Sequence, residues 1–438
     1  MITKIKNQVI SNNFKDNIIF FSAILMPFAL NISILVSEIL LFLISITFLT
    51  ILLKEKKITI ILKDVKVPII LFFLLYSIIL TSLFFSNYFS RSFIPSFFYF
   101  RYIIFSLGIF YLISKNEKYL EFLLYSFYFL IALIFFDALY EFFKINNILG
   151  LKLETSRGME NFYLTGFFGN EKKLGSFLVR ILPFIISVIV YLKYPKKFFI
   201  SIIFIFGILI FLASERVALF LFVIFLLFFL RIVPQRIYIV SFLFLLVIFF
   251  AIFQPKVTKK YVFGTLFQLG VMKTHYHDQN WPKLKQLNFD NINYFSTEHE
   301  NLIKSGIEIF KEKPLIGSGV KSFYNACNKI KLEKNIELIC STHPHNTYIQ
   351  LLSDTGIFSA LIFVFIFLYI IYLNIKIFFT KNINNILASF YILNIGIILN
   401  LMPFIPSGSI YNNWINIMIY FPMGYWFYLY SKIRNKSA

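Results

Sequence analysis

Uninterrupted apolar runs, most of them close to twenty residues long, recur along almost the whole of this 438-residue chain. A helix of about 20 such residues crosses the hydrocarbon core of a bilayer. Because the runs are continuous, they lack the in–out alternation of an outer-membrane barrel strand. Apolar types fill 59% of the chain and charged types only 14%, against about 25% charged in a soluble globular domain. Too little charge remains to solvate a surface, so a soluble enzyme and a disordered scaffold are both excluded. The reading is an all-α integral membrane protein. Twelve spans are expected, at roughly 18–35, 38–53, 67–85, 96–114, 119–140, 174–193, 197–213, 216–231, 236–253, 346–373, 384–403 and 412–430. No internal repeat with a period of about 20–50 residues is visible.

The net charge of +21 would point to nucleic acid in a soluble chain. Here 20 basic residues fall in the short loops that lie on one side if the N-terminus is cytoplasmic. Membrane topology therefore accounts for them, and no nucleic-acid partner is expected. Met1–Asn17 is polar and no A-x-A site follows the first apolar run, so that run is expected to be a retained helix. Both termini are expected inside. The chain then divides into spans 1–9 (1–253, with an outer loop at 141–173), a large outer segment (254–345), and spans 10–12 with the tail (346–438).

In the large segment, Ser296-Thr297-Glu298-His299-Glu300 opens a helix, with Thr297 as N-cap and Glu300 completing a capping box. Leu302, Ile303, Ile307, Ile309 and Phe310 give it an apolar face, and Pro314 ends it. The helix is expected on the bilayer surface or capping the bundle. The chain's two cysteines, Cys327 and Cys340, both lie in this segment, where an oxidising periplasm permits a bridge between them.

Cys340 leads into His343-Pro344-His345-Asn346-Thr347. Asn346 or Thr347 is a natural N-cap, which puts His345 at a helix N-terminus on the outer face. The helix dipole there disfavours imidazolium and keeps the ring neutral, as a general base requires. Pro344 holds His343 extended, which would aim it away. A metal site from His343 and His345, or from His275, His277 and Asp278, has poor spacing and no obvious third ligand, so none is expected.

The chain has 34 lysines and only 8 arginines, and the 13 cations of 254–345 are all Lys. Yet the other outer positions hold Arg91, Arg101, Arg157, Arg180 and Arg216. Arginine's fixed donor fork grips phosphate bidentately and stays charged when buried. Arg180 lies about two turns into an apolar span, where an ionisable side chain marks function by default. Its alternative is an ion pair with Asp137 or Glu141. Arg216 sits in a tight outer turn, with snorkelling as its alternative. Arg91 and Arg101 read as ordinary interfacial cations. A base-like histidine, several arginines and little acid suit glycosyl transfer from a lipid diphosphate.

These residues resemble the bacterial O-antigen ligases and the related O-antigen polymerases. The resemblance rests on His343-Pro-His-Asn-Thr-Tyr-Ile-Gln-Leu-Leu352, followed by Gly356, and on Lys313-Pro-Leu-Ile-Gly-Ser-Gly319. Ser214-Glu-Arg216-Val-Ala and the stretch from Arg157 through Gly166-Phe-Phe-Gly169 to Gly175 also match. It implies a metal-independent inverting glycosyltransferase without a cofactor, in the inner membrane and facing the periplasm. The donor would be an undecaprenyl-diphosphate-linked glycan. The acceptor would be lipid A–core in a ligase, or a lipid-linked repeat unit in a polymerase. His345 would be the catalytic base and Arg216 would hold the diphosphate, with Arg157, Arg180, His343 and Asn346 at the substrate. Ligases also use an arginine in the large segment; here a lysine of that segment, or Arg157 and Arg180, would take its place. A transporter of lipid-linked sugars is the competing reading of another class.

Overall fold

The computed structural model describes residues 13–54, 62–144, 146–150, 164–169, 171–233, 255–272 and 292–437, with isolated positions between 236 and 252. Helices carry the fold, and the described residues contain no strand. The first three are α1 (Phe14–Ile32), α2 (Ile34–Leu52) and α3 (Lys66–Phe84). A short α4 (Phe89–Phe97) precedes α5 (Arg101–Lys115), α6 (Lys118–Lys144), α7 (Leu174–Tyr191), α8 (Lys196–Leu212) and α9 (Arg216–Phe229). Three helices belong to the segment 254–345: α10 (Pro255–Gln268), α11 (Thr297–Glu312) and α12 (Phe323–Lys334). The chain closes with α13 (Thr347–Thr355), α14 (Ile357–Phe378), α15 (Asn385–Asn400) and α16 (Asn413–Ser437).

Seven helical stretches are long and apolar enough to cross a bilayer: α1, α2, α3, α4 with α5, α6, α7 and α14. α9 and α15 are apolar but shorter. A helix therefore stands at eleven of the twelve expected positions. The stretch expected at 236–253 lies largely outside the described residues.

Close helix contacts in the bundle run through small residues, as they do where lipid removes the hydrophobic drive between helices. A Cβ on Gly424 of α16 would lie 2.5 Å from Ile109 Cβ of α5, and one on Gly396 of α15 would lie 2.6 Å from Pro183 of α7. Several buried polar groups find partners inside the protein, as a lipid surround favours. Trp426 Nε1 donates to Asn394 Oδ1 at 2.6 Å and the Tyr99 hydroxyl donates to Asn416 Oδ1 at 3.2 Å. Toward lipid, α2, α3 and α14 present exposed Leu35, Phe42, Phe73, Phe365 and Leu368.

Two sequence expectations are corrected here. The helix after Phe295 is capped by Ser296, not Thr297: its Oγ accepts from His299 N at 3.4 Å, and Glu300 Oε1 accepts from Phe295 N at 3.4 Å. The cap lies one residue earlier because Ser296 has the extended backbone of a cap (φ −62, ψ 150) while Thr297 is already helical, and Glu300 reaches the residue before the cap instead of closing a capping box. The buried face of this helix is Leu302, Ser305, Gly306 and Ile309, whereas Ile307 is exposed. That face packs on protein: a Cβ on Gly306 would meet Ile349 Cγ2 at 2.4 Å and Pro344 Cβ at 3.5 Å. With Phe323, Ala326, Cys327, Ile330 and Leu338 it forms a second small core, which the Cys327–Cys340 disulfide closes (Cα–Cα 5.6 Å).

The second correction concerns 346–373, read from sequence as one helix. It breaks at Gly356 into α13 and α14. The cause is the loop Lys313–Gly319, which inserts its backbone at the break. Ser318 N donates to Ser353 O at 2.9 Å, Gly319 N to Asp354 O at 2.8 Å, and Ile357 N to Pro314 O at 2.9 Å. The last carbonyls of α13 are thereby satisfied from outside the helix. Both chains need glycine at the crossing. A Cβ on Gly317 (φ +68) would sit 2.3 Å from Asp354 C, and one on Gly356 (φ +82) 2.2 Å from Leu315 O.

Candidate active site

The His-Pro-His-Asn segment is held at the N-terminus of α13. Asn346 is the N-cap: its Oδ1 accepts from Tyr348 N at 3.0 Å and Ile349 N at 3.1 Å, while its Nδ2 donates to Pro403 O at 2.7 Å. A loop before α16 clamps the same segment from the other side. Ser407 N donates to His345 O at 2.8 Å, and the hydroxyls of Ser407 and Thr347 are 2.9 Å apart. Between these restraints His345 takes φ +53, a left-handed conformation that a non-glycine side chain adopts only when its surroundings impose it.

That turn brings the histidines together. The rings of His343 and His345 lie 4.0 Å apart. His343 is therefore not aimed away, as Pro344 alone suggested; the left-handed residue after Pro344 folds the chain back. A third imidazole completes the group: His299, in the first turn of α11, meets His345 edge-on at 5.4 Å. Sequence reasoning missed His299. It lies 46 positions from His345 with no spacing to connect them.

All three rings are biased toward the neutral form. Burial lowers His345 first, the neighbouring His299 lowers it further, and Glu298 opposes. Burial likewise comes first for His343, pushed down to about 4 with help from His345 and His299. His299 is lowered by burial and by the Arg216 charge, against Glu298. The direction at His345 agrees with the sequence argument, but desolvation, not the helix dipole, is its first cause.

Arg216 thus stands within electrostatic reach of His299, at the first position of α9. The residue before it places it there. Glu215 caps the N-terminus of α7, accepting from Gly175 N at 2.7 Å and Ser176 N at 3.1 Å. Gly175 allows the approach, since a Cβ there would meet Ala218 Cβ at 3.1 Å and Glu215 Oε1 at 3.2 Å. The Ser214–Arg216 turn and the start of α7 are in this way one joint.

Arg180 lies further along α7. It pairs with neither Asp137 nor Glu141, the carboxylates that were its sequence alternatives. Asp137 Oδ1 accepts from Ile148 N at 2.7 Å, and Glu141 accepts from Thr165 and Gly166. Arg180 Nη1 instead donates to Ser176 O at 3.1 Å and bonds Ser176 Oγ, and its Nε has no hydrogen-bond partner. Its guanidinium lines a cavity between α3, α5, α14, α15 and α16. Thr347, Asn400 and Ser407 add polar wall, and the rest is mostly apolar, including Phe72, Ile366 and Met423. Arg157, His275, His277 and Asp278 lie outside the described residues. Among the described residues no group of three His, Cys, Asp or Glu side chains is arranged to hold a metal.

Residues 199–364 match the family model described as O-antigen ligase. That stretch is similar to the O-antigen ligase family. The matched stretch contains Arg216, the three histidines, the Lys313–Gly319 loop and α13. It supports O-antigen ligase or polymerase-like function in general, in a multi-pass membrane protein. No curated protein matches the chain.

Proposed function

We propose that this protein moves a glycan from an undecaprenyl-diphosphate carrier onto lipid A–core at the periplasmic face of the inner membrane. The observation that carries the reading is the meeting of His345 with His343 and His299, with Arg216 in electrostatic reach of His299, inside the matched family stretch. A neutral His345 takes the proton from the acceptor hydroxyl. The freed oxygen attacks the anomeric carbon, the bond from that carbon to the diphosphate oxygen breaks, and the configuration inverts. The lipid diphosphate leaves without protonation, because arginine charge offsets the charge developing on it.

Arg216 lies within electrostatic reach of His299, the ring that meets the base edge-on, and would hold the diphosphate. Arg180 faces the apolar cavity beside Thr347, which suits a lipid chain with its diphosphate at the polar end; Arg157 completes the set. Asn346 acts on His345 by fixing the turn. The analysis of glycolipids from a deletion strain tests the reading. Uncapped lipid A–core with polymer accumulated on the lipid carrier is the expected result. Core bearing a single repeat unit would make the protein a polymerase, and normal glycolipids would remove glycan transfer altogether.

A further inference from the structure

A second group of cations lies away from the histidines, at the outer ends of α2 and α5. Arg101 opens α5, and its Nη2 meets Glu38 Oε2 at 3.1 Å and the Tyr102 hydroxyl at 2.9 Å. Its Nε is buried without a hydrogen-bond partner. Lys321 lies within electrostatic reach of Arg101, Arg91 and Glu38, and burial together with these two arginines lowers its ammonium. Arg91 completes the group from α4, its Nη1 donating to Asn325 Oδ1 at 2.9 Å. Glu38 is the carboxylate paired with these cations. Asp354 meets Lys321 through the backbone N–H, which donates to its Oδ2 at 3.3 Å, and its carboxylate also accepts from Gln350 Nε2 and Ser353 Oγ.

Holding like charges together costs free energy unless something offsets them. Here the backbone is also strained to do so. Lys321 takes φ +57, a region that favours glycine. The loop carrying it is fixed on both sides: Ser86 Oγ donates to Ser318 O and Ser92 Oγ to Val320 O, each at 2.9 Å, while Gly319 N reaches Asp354 O. The cations are thus preorganised on a rigid seat, which is what an anion site requires. The position identifies the anion's carrier. On α4, Ser92 and Ser96 face the protein, whereas Phe89, Phe93, Ile94 and Phe97 are exposed. A short helix with aromatic residues outward on an outer-face turn lies at the headgroup level of a bilayer.

From this geometry we infer that Arg91, Arg101 and Lys321 form a binding site for the phosphate of a lipid in the outer leaflet, separate from the histidine cluster. The site does not depend on the glycosyl-transfer reading, and the two fail separately. The test is native mass spectrometry of the full chain in detergent, with dioleoyl phosphatidic acid, dioleoyl phosphatidylcholine and inorganic phosphate as probes. Wild type retains phosphatidic acid over phosphatidylcholine, and millimolar inorganic phosphate does not displace it. Arg101→Gln combined with Lys321→Gln lowers that retention about tenfold or more, the scale of losing charge-assisted contacts. Glu38→Gln removes the competing carboxylate and holds or raises retention, whereas His345→Ala leaves it unchanged.

Wild-type retention in a monodisperse double variant overturns the site. Loss of retention in Glu38→Gln equal to that in the double variant reduces Arg101 to a structural counter-ion and also overturns it. Displacement by inorganic phosphate at matched concentration overturns the lipid assignment.

Discussion

On the proposed reading His345 is a general base, which must be neutral before it can act, and burial and a second imidazole bias it toward that form. Its folded pKa lies below the ordinary histidine value of about 6.5. The base is therefore active above that lowered value, and activity is lost as pH falls through it. The acid limb of kcat should lie below about pH 6.5 in a reconstituted assay with lipid-linked donor; a limb above that value would assign it to another group. Replacing His345 by Ala should cost about 10²–10⁴-fold in rate with little change in donor binding, the range for losing a positioned base. His343→Ala should cost less; the reverse order would make His343 the base. For Arg216, Lys keeps the charge and loses the fork. Arg216→Lys should weaken donor affinity and slow turnover while leaving the purified protein monodisperse. Unchanged turnover and affinity would leave Arg216 only a place at the interface.

At the scale of elements, the crossing of the Lys313–Gly319 loop with the α13–α14 break decides whether the site exists. α13 is nine residues long, too short to be stable alone. Its first turn is capped by Asn346, its end is capped by the loop backbone, and α11 packs along its side. Gly317→Ala and Gly356→Ala each place a methyl group against backbone that cannot yield. Each should destabilise the protein by at least about 2–4 kcal/mol, combining left-handed strain with overpacking. Gly150 is the control, with φ +74 and nothing within 4 Å of a Cβ. Gly150→Ala should cost only the backbone share, about 1 kcal/mol. Thermal unfolding in detergent compares the three, and equal melting temperatures for Gly150→Ala and Gly356→Ala would remove the interlock from the account. The Cys327–Cys340 bridge predicts no thiol labelling of the unreduced protein, and stoichiometric labelling of both would remove it.

For the whole molecule, the charge distribution predicts an orientation. Lys115 bonds Asp16, Lys432 Nζ bonds Glu117 at 2.9 Å, and Asn435 Nδ2 bonds Asp64 at 2.9 Å. The starts of α1 and α6 and the ends of α5 and α16 thus share one basic face, expected to be cytoplasmic. A cysteine introduced at exposed Lys331 should react with a membrane-impermeant maleimide from outside intact spheroplasts, and one at exposed Lys381 should not. Labelling at Lys381 alone would invert the topology.

The order of apolar runs, the loops between them and the helix beginning at Asn346 were legible in the chain because each depends on local signals: run length, cap residues and cation placement. His345 and Arg216 stand out in the chain for a similar reason, one as a histidine just before a cap and the other as an arginine in a tight turn between apolar runs. The tertiary structure alone decided what meets what. It broke the helix expected at 346–373 because a loop from over thirty residues earlier inserts its backbone there. It turned His343 toward His345, brought His299 to them, and paired Arg180 with Ser176 instead of an acid. The break and the arrival of His299 have no sequence signature, because both are set by packing between segments remote along the chain, and the turn at His345 is likewise clamped by Ser407 from a distant loop.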